Sequence, residues 1–427
     1  MPTGDAPSEG RPEDVLRHVV PGADIVVPLA NGEPPTLLDA LEAQQASLEG
    51  VRIHQMHALV ERAYIRGEFG DRLRHVSYFL SPATRKAYWE GGCDLVPSHF
   101  SEVPALLRAA TRLSLVIARA SLPDRHGFFS LGTNADYTAS FIGQAPFFLE
   151  VDPAMPRTYG DNQLHGSQVV GWCRGAHGLA DVAPAEPSPE DRKIGEFVAE
   201  RIADESTLQV GIGSISAGVL ASLAGHKHLG IHTELLSDGV MDLIESGVVT
   251  GAAKRLRRNK IVATFCLGST RLYEWLNENA AVELLPVDWV NNPRVIGQEP
   301  RFVSVNSTTE VDLFGQCASE TIGGRYWSGS GGQADFARGA MYSDGGQAFI
   351  VLRSLTHDGR SRIRSRLSEG SVVTTLKNTV DHVVTEWGVA ELRGRSLAQR
   401  ARALIGIAHP SVRDVLESEA RQIGLLR

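Results

Sequence analysis

Glu234 is the side chain of this sequence best placed to do chemistry. It ends the stretch LQVGIGSISAGVLASLAGHKHLGIHTELLSDG, which runs from Leu208 to Gly239. The stretch opens on an apolar run, Leu208 to Ile212, and turns through Gly211 and Gly213. Aliphatics then follow at helical spacing, Ile215, Val219, Leu220 and Leu223. A second apolar run, Leu229 to Thr233, delivers Glu234 at its C-terminal end. Strand, helix and strand of this size predict a βαβ unit with parallel neighbouring strands. In open parallel sheets ligands lie beyond the carboxyl ends of the strands, which is where both the Gly211 turn and Glu234 fall. A lone glutamate at a strand end is ordinarily solvated; its position opposite a glycine turn marks this one as the reacting group.

A second stretch, Ser328-Gly329-Ser330-Gly331-Gly332-Gln333-Ala334-Asp335-Phe336, sets three glycines in four positions. Such a backbone can approach a ligand closely and present N–H groups to it, which is what an oxyanion hole requires. The bland alternative is a surface turn, against which stand the flanking aromatics Tyr326, Trp327 and Phe336, expected to anchor the loop on a core. Between the two stretches lies Pro286 to Pro293, PVDWVNNP, a strand ending in an aromatic and two amides. Gly211-x-Gly213 with a later acid is half of a dinucleotide fingerprint, but Ser216 stands where the third glycine belongs. No G-x-S-x-G elbow makes Ser214 or Ser216 a nucleophile, and no His, Cys or acidic cluster has metal-ligand spacing. The basic run Lys254 to Lys260, KRLRRNK, reads as a solvated face.

The elements that must position these groups alternate strand and helix along the chain. Ala23 to Val27, Leu113 to Arg119, Lys260 to Phe265, Val282 to Val287, Phe302 to Val305, Ala348 to Leu352 and Val380 to Thr385 read as strands. Ser188 caps a helix from Pro189 to about Asp204, and two amphipathic helices, Ser396 to Ile407 and Pro410 to Ile423, close the chain. At 427 residues the length calls for two domains. The predicted division is an arm over 1–15, a first domain over 16–180, a Pro/Ala-rich linker over 181–189 and a second domain over 190–427. The fold class is α/β, two open α/β domains with the active site in the cleft between them. An apolar content of 42%, no membrane-length apolar window and a polar N-terminus place the chain in the cytoplasm, away from membranes. Scattered Cys93, Cys173, Cys266 and Cys317 suit reduced thiols there, and a net charge of −8 argues against a nucleic-acid partner.

Taken together, GIGSISAGV, HLGIHTELLSDGVMDLIESGVVTG, PVDWVNNP, SVNSTTEVDLFGQ, GSGGQADFARGA, VVTEWGVAELRGRS and IAHP, in this order, resemble the acetyl-CoA hydrolase/transferase family. The likeness is densest to its 4-hydroxybutyrate and butyrate CoA-transferases, and GADIVV, DLVPSHFSEVP, DRHGFFSLG and MPRTYGD extend it through the first half. The resemblance implies two similar α/β domains, a homodimer, and ping-pong exchange of CoA between a short-chain acyl-CoA and a free carboxylate. It implies no tightly bound cofactor, coenzyme A being itself a substrate. It assigns Glu234 as the nucleophile and the amide of Gly332 to the oxyanion hole. Gly331 and Gln333 fall beside that hole and a second donor near Val219, while Asn291 and Glu386 line the acyl and carboxylate site and Arg192 assists. The branch often carries proline where this chain reads Ser214-Ile215-Ser216-Ala217-Gly218, which implies a looser turn. An acyl-CoA hydrolase is the nearest rival reading; an NAD-dependent oxidoreductase and a noncatalytic acyl-CoA-binding protein are more distant ones.

Overall fold

Long runs of Val, Ile and Leu form strands here because both faces of each are covered, the condition under which parallel sheets exist. The computed structural model describes residues 7–427. Residue contacts group the chain into two units, one reaching to Ala183 and including Val262–Val290, the other comprising Pro184–Ile261 and Asn291–Arg427.

The first unit is built on β1 (Asp24–Val27), β2 (Val51–Gln55), β3 (Leu73–Ser77), β4 (Asp94–Leu95), β5 (Leu113–Ala120), β6 (Phe147–Val151) and β7 (Val169–Arg174). Their order is β7-β6-β5-β1-β2-β3-β4 and every pairing is parallel. Ile25, Val27, Ile53, Leu115 and Ile117 fill its core from one face. Residues 1–6 of the expected arm lie outside the described residues. Its remainder is fastened to β7, where Trp172 Nε1 donates to the Pro7 carbonyl at 2.8 Å and Gly10 N–H to that of Trp172 at 2.8 Å. Val282–Leu284, read from the sequence as a strand of the second half, instead pairs in parallel with Tyr159–Gly160 of this unit.

The second unit carries β8 (Thr207–Val210), β9 (Gly230–Ile231), β10 (Phe302–Ser307), β11 (Gln347–Val351), β12 (His382–Thr385) and β13 (Gly388–Glu391), ordered β9-β8-β10-β11-β12-β13. Only the β12–β13 edge pair is antiparallel. The predicted βαβ unit is present: helix α2 (Ser214–Ser222) joins β8 to β9 with Thr207 opposite Gly230 and Leu208 opposite Ile231. Because β8 pairs with β9 on one side and β10 on the other, chain order reverses at β8. This is the switch point at which open α/β sheets leave a crevice beyond their carboxyl edge. Helix α1 (Pro189–Ala199) starts as the sequence predicts, with Asp191 N–H donating to Ser188 Oγ and Ser188 N–H returning a bond to the Asp191 carboxylate. The C-terminal helices Leu397–Gly406 and Arg413–Gln422 cover a core of Ile350, Leu352, Val383, Leu404 and Leu416. Among the described residues no helix is long and apolar enough to cross a membrane.

Candidate active site

His232 N–H donates to the Leu208 carbonyl, so the β8–β9 ladder runs one residue past β9. The chain then leaves the sheet through Thr233 and Glu234. Lys254 supports this exit from beneath. It departs from the solvated face expected of the basic run, being buried with its Nζ donating to the carbonyls of Ile231 and Lys260 at 2.8 and 2.9 Å.

Two other segments bring polar groups onto the Glu234 carboxylate. Helix α3 (Gln333–Tyr342) is capped by Gly332, and the short helix Pro293–Ile296 is capped by Asn292, whose side chain accepts from Arg294 N–H at 3.0 Å. These helices pack closely, the Ile296 side chain lying directly on the Gly339 backbone, where an added Cβ would stand 2.4 Å from it. Their N-terminal ends are thereby brought together, and Asn291 comes to rest against Gly332. Asn291 is fully buried and donates from Nδ2 to Glu234 Oε2 at 2.7 Å; its Oδ1 is buried without a hydrogen-bond partner. The Gly332 amide adds a backbone hydrogen bond to the same carboxylate. A Cβ at Gly332 would stand 2.0 Å from Glu234 Oε2 and 2.4 Å from Asn291 Nδ2, so only glycine permits this approach.

Burial pushes the Glu234 carboxyl up to about 7, against which Asn291 and the Gly332 amide pull it down by stabilising the anion. Among the described residues no cation pairs with it. The residue is nonetheless only half-buried, so the carboxylate is poorly hydrated and still reachable.

The loop before α3 is pinned from below. Glu320, itself buried, accepts from Ser330 Oγ at 3.1 Å and Thr374 Oγ1 at 2.9 Å, and its carbonyl receives the N–H groups of Trp327 and Ser328. Gly331 adopts φ +55°, a conformation that favours glycine. Gln333 is buried and donates to Thr375 Oγ1 at 3.0 Å. Of the three aromatics expected to anchor the loop, Phe336 alone is in the core, stacked on Phe302 at 6.1 Å; Trp327 is 40% exposed and Tyr326 half-buried. The anchor is thus mainly polar, and Glu320 was missed because nothing in its sequence neighbourhood marks it.

Among the described residues no hydrogen bond joins the remaining candidates to Glu234. Val219 is buried within α2, beyond the first turn, so its N–H belongs to the helical ladder. The Arg192 side chain is exposed on α1. Glu386 follows β12 and accepts from Ser354 N–H at 2.9 Å and from Ser354 Oγ. It lines a cavity with Arg353, a residue the sequence reading passed over.

The sequence pattern of the acetyl-CoA hydrolase/transferase N-terminal domain matches residues 10–187 and that of its C-terminal domain residues 268–420. The chain is 42% identical to the succinyl-CoA:cyclohexane-1-carboxylate CoA transferase of Geobacter metallireducens over 414 residues, covering 96% of this chain and 94% of that protein. It is also 42% identical over 402 residues to the 4-hydroxybutyrate coenzyme A transferase of Clostridium kluyveri, covering 93% and 94% respectively. The crystal structure of RipA from Yersinia pestis superposes with a TM-score of 0.92 at 33% identity, covering 98% of each chain. An addressable carboxylate between an amide side chain and a glycine-loop N–H is therefore found in a chain that belongs to the acetyl-CoA hydrolase/transferase family, an enzyme of the CoA-transferase type.

Proposed function

We propose that the enzyme exchanges CoA between a short-chain acyl-CoA, of the acetyl, butyryl or 4-hydroxybutyryl type, and a free carboxylate, using Glu234 as a covalent carrier. The observation that carries this reading is the Glu234 carboxylate itself, raised to about 7 by burial, unpaired by any cation among the described residues and held by two neutral donors. Near neutral pH a substantial share is ionised, and weak hydration makes that anion more reactive.

In the first half-reaction a Glu234 oxygen attacks the thioester carbonyl, the C–S bond breaks, and CoA leaves as the thiolate, giving a mixed anhydride. The thiolate then attacks the glutamyl carbonyl and the anhydride C–O bond breaks, releasing the acid as its carboxylate and leaving CoA on Glu234. An acceptor carboxylate runs the two steps in reverse. Each attack builds an oxyanion, and the Gly332 amide at the N-terminus of α3 offers it a donor backed by the helix dipole. Asn291 orients the nucleophile through its Nδ2 bond.

Incubation with acetyl-CoA alone, followed by peptide mass spectrometry, is expected to find CoA attached to the peptide containing Glu234. Absence of that adduct in an enzyme that exchanges labelled acetate into acetyl-CoA overturns the covalent route. The half-buried state of Glu234 favours a second reading, hydrolysis by water reaching the thioester. Free-thiol release that is unchanged by added acetate would establish it.

A further inference from the structure

Beyond Glu234, the carboxyl edge of the second sheet holds a pair of guanidinium groups with unspent donors. Arg353 stands two residues past β11. Asp191, fully buried in the first turn of α1, clamps it in bidentate fashion, with Nε to Oδ1 at 2.8 Å and Nη2 to Oδ2 at 2.6 Å, and Ser214 Oγ lies 3.2 Å from Nη2. The clamp fixes the guanidinium plane and leaves the Nη1 amino group without a protein acceptor among the described residues. The side chain is 42% exposed.

Arg362 lines the same cavity, of about 640 Å³. Its Nη1 reaches only the Thr309 carbonyl at 3.3 Å, its Nε is buried without a partner, and among the described residues it has no carboxylate counterion. Burial and the charge of Arg353 both push its pKa down, so the two cations feel one another. Glu386, on the same wall, touches neither guanidinium, since both its oxygens are taken by Ser354; its charge and that of Glu190 favour the Arg353 cation from a distance and leave Arg362 without a carboxylate partner among the described residues. Asp191 compensates the charge of Arg353, so the cost falls on Arg362, desolvated beside it with an open N–H, and an oxyanion reaching both guanidinium groups removes it.

We propose that Arg353 and Arg362 bind an anionic oxygen group carried by a substrate, at a distance from the reacting carbonyl. The inference rests on the CoA-transferase reading, which supplies two sources of such a group. One is a phosphate at the nucleotide end of the CoA thioester; the other is the second carboxylate of a diacid acceptor. The cavity volume suits the larger group. So does Trp387 in its lining, 44% exposed, with His409 perpendicular to it at 5.4 Å and the Arg413 guanidinium over its ring at 5.9 Å, an aromatic and cationic pairing on which a heterocyclic base can stack.

The test compares the parent with Arg362→Gln and with Arg353→Lys, which keeps a charge opposite the buried Asp191 and so preserves folding. Donors are acetyl-CoA and acetyl-pantetheine; acceptors are acetate and succinate; adenosine 3′,5′-bisphosphate is titrated calorimetrically as a catalysis-independent probe. If phosphate is bound, the preference for acetyl-CoA over acetyl-pantetheine falls about tenfold in both variants, and bisphosphate affinity falls alongside. If a diacid is bound, it is instead the preference for succinate over acetate that falls about tenfold. Both preferences and bisphosphate affinity staying within about twofold of the parent overturn the anion site. A parent that transfers CoA from neither donor points instead to failure of the CoA-transferase reading, and bisphosphate titration then still decides the guanidinium pair.

Discussion

Each unit carries a glutamate whose pKa burial raises, yet the two are equipped for opposite purposes. Glu150, on β6, is fully enclosed, with Arg119 Nε 3.4 Å from one oxygen and the N–H groups of Thr36 and Leu37 at 2.8 and 3.3 Å from the other. Among the described residues Glu234 has no cation, only the Asn291 amide and the Gly332 N–H, and it stays half-buried. A cation turns a buried carboxylate into a tether between elements; neutral donors leave it ionisable near 7 and hungry for an electrophile. Asp136 shows that neutral donors are not enough by themselves. Thr138 N–H, Asn134 Nδ2 and Leu29 N–H hold it, burial raises it to about 6, but at 0% exposure no substrate reaches it.

Substitution separates the two glutamates most sharply. Glu234→Ala should lower labelled-acetate exchange by at least about 10³-fold while the protein unfolds at an ordinary urea concentration. Glu150→Gln should do the reverse, retaining exchange and losing roughly 3 kcal/mol of stability, because Arg119 is left buried with its main counterion gone. Comparable loss of exchange in both folded variants would erase the distinction. Gly332→Ala comes next. Its methyl would overlap the Glu234 oxygen and the Asn291 amide and push the nucleophile off the retained N–H, so kcat should fall about 10²-fold, as when an oxyanion donor is lost, with a small change in urea midpoint.

The contrast also marks how far the sequence could be read. Periodicity from Leu208 to Thr233 predicts β8, α2 and β9 because those residues satisfy one another locally, and the Ser188 cap is legible for the same reason. Glu234 is found because a parallel strand must end where ligands bind. Asp191 is different. Its sequence context shows the capping box, but its second bond goes to Arg353, 162 positions away, and no local pattern encodes that. Glu320 and Thr374 are hidden likewise, 54 positions apart and joined only by the fold. Val282–Leu284 has the composition of any buried strand, so the unit it joins is decided by long-range pairing with Tyr159–Gly160. The aromatics beside the glycine loop mislead because an aromatic next to a turn can anchor or cover, and spacing does not say which.

Asn291→Ala refines the account of why neutral donors suffice. Removing Nδ2 takes away a bond that favours the ionised carboxyl, so the Glu234 pKa should rise above about 7. The acid limb of the kcat/KM profile should move to higher pH, with roughly tenfold loss at pH 7 that narrows by pH 8.5. A loss uniform across pH would mean that Asn291 orients Glu234 without tuning it.

The smallest effect is on stability, and its sign is the strictest test of the comparison. Glu234 binds its proton more tightly folded, at about 7, than at the ordinary value of 4.5. Across that window the folded state holds more protons than the unfolded one, so stability falls as pH rises and the full penalty is present above 7. Glu234→Gln removes the ionisation and should therefore stabilise the protein more at pH 8 than at pH 5. The shift sets an upper bound of roughly 3 kcal/mol, and partial exposure of the carboxylate should reduce it to about 1–2 kcal/mol. Urea midpoints of parent and variant at the two pH values measure the difference. An equal change at both would mean that solvent, and not the protein interior, sets the charge of this carboxylate, and the ground for treating it differently from Glu150 would be gone.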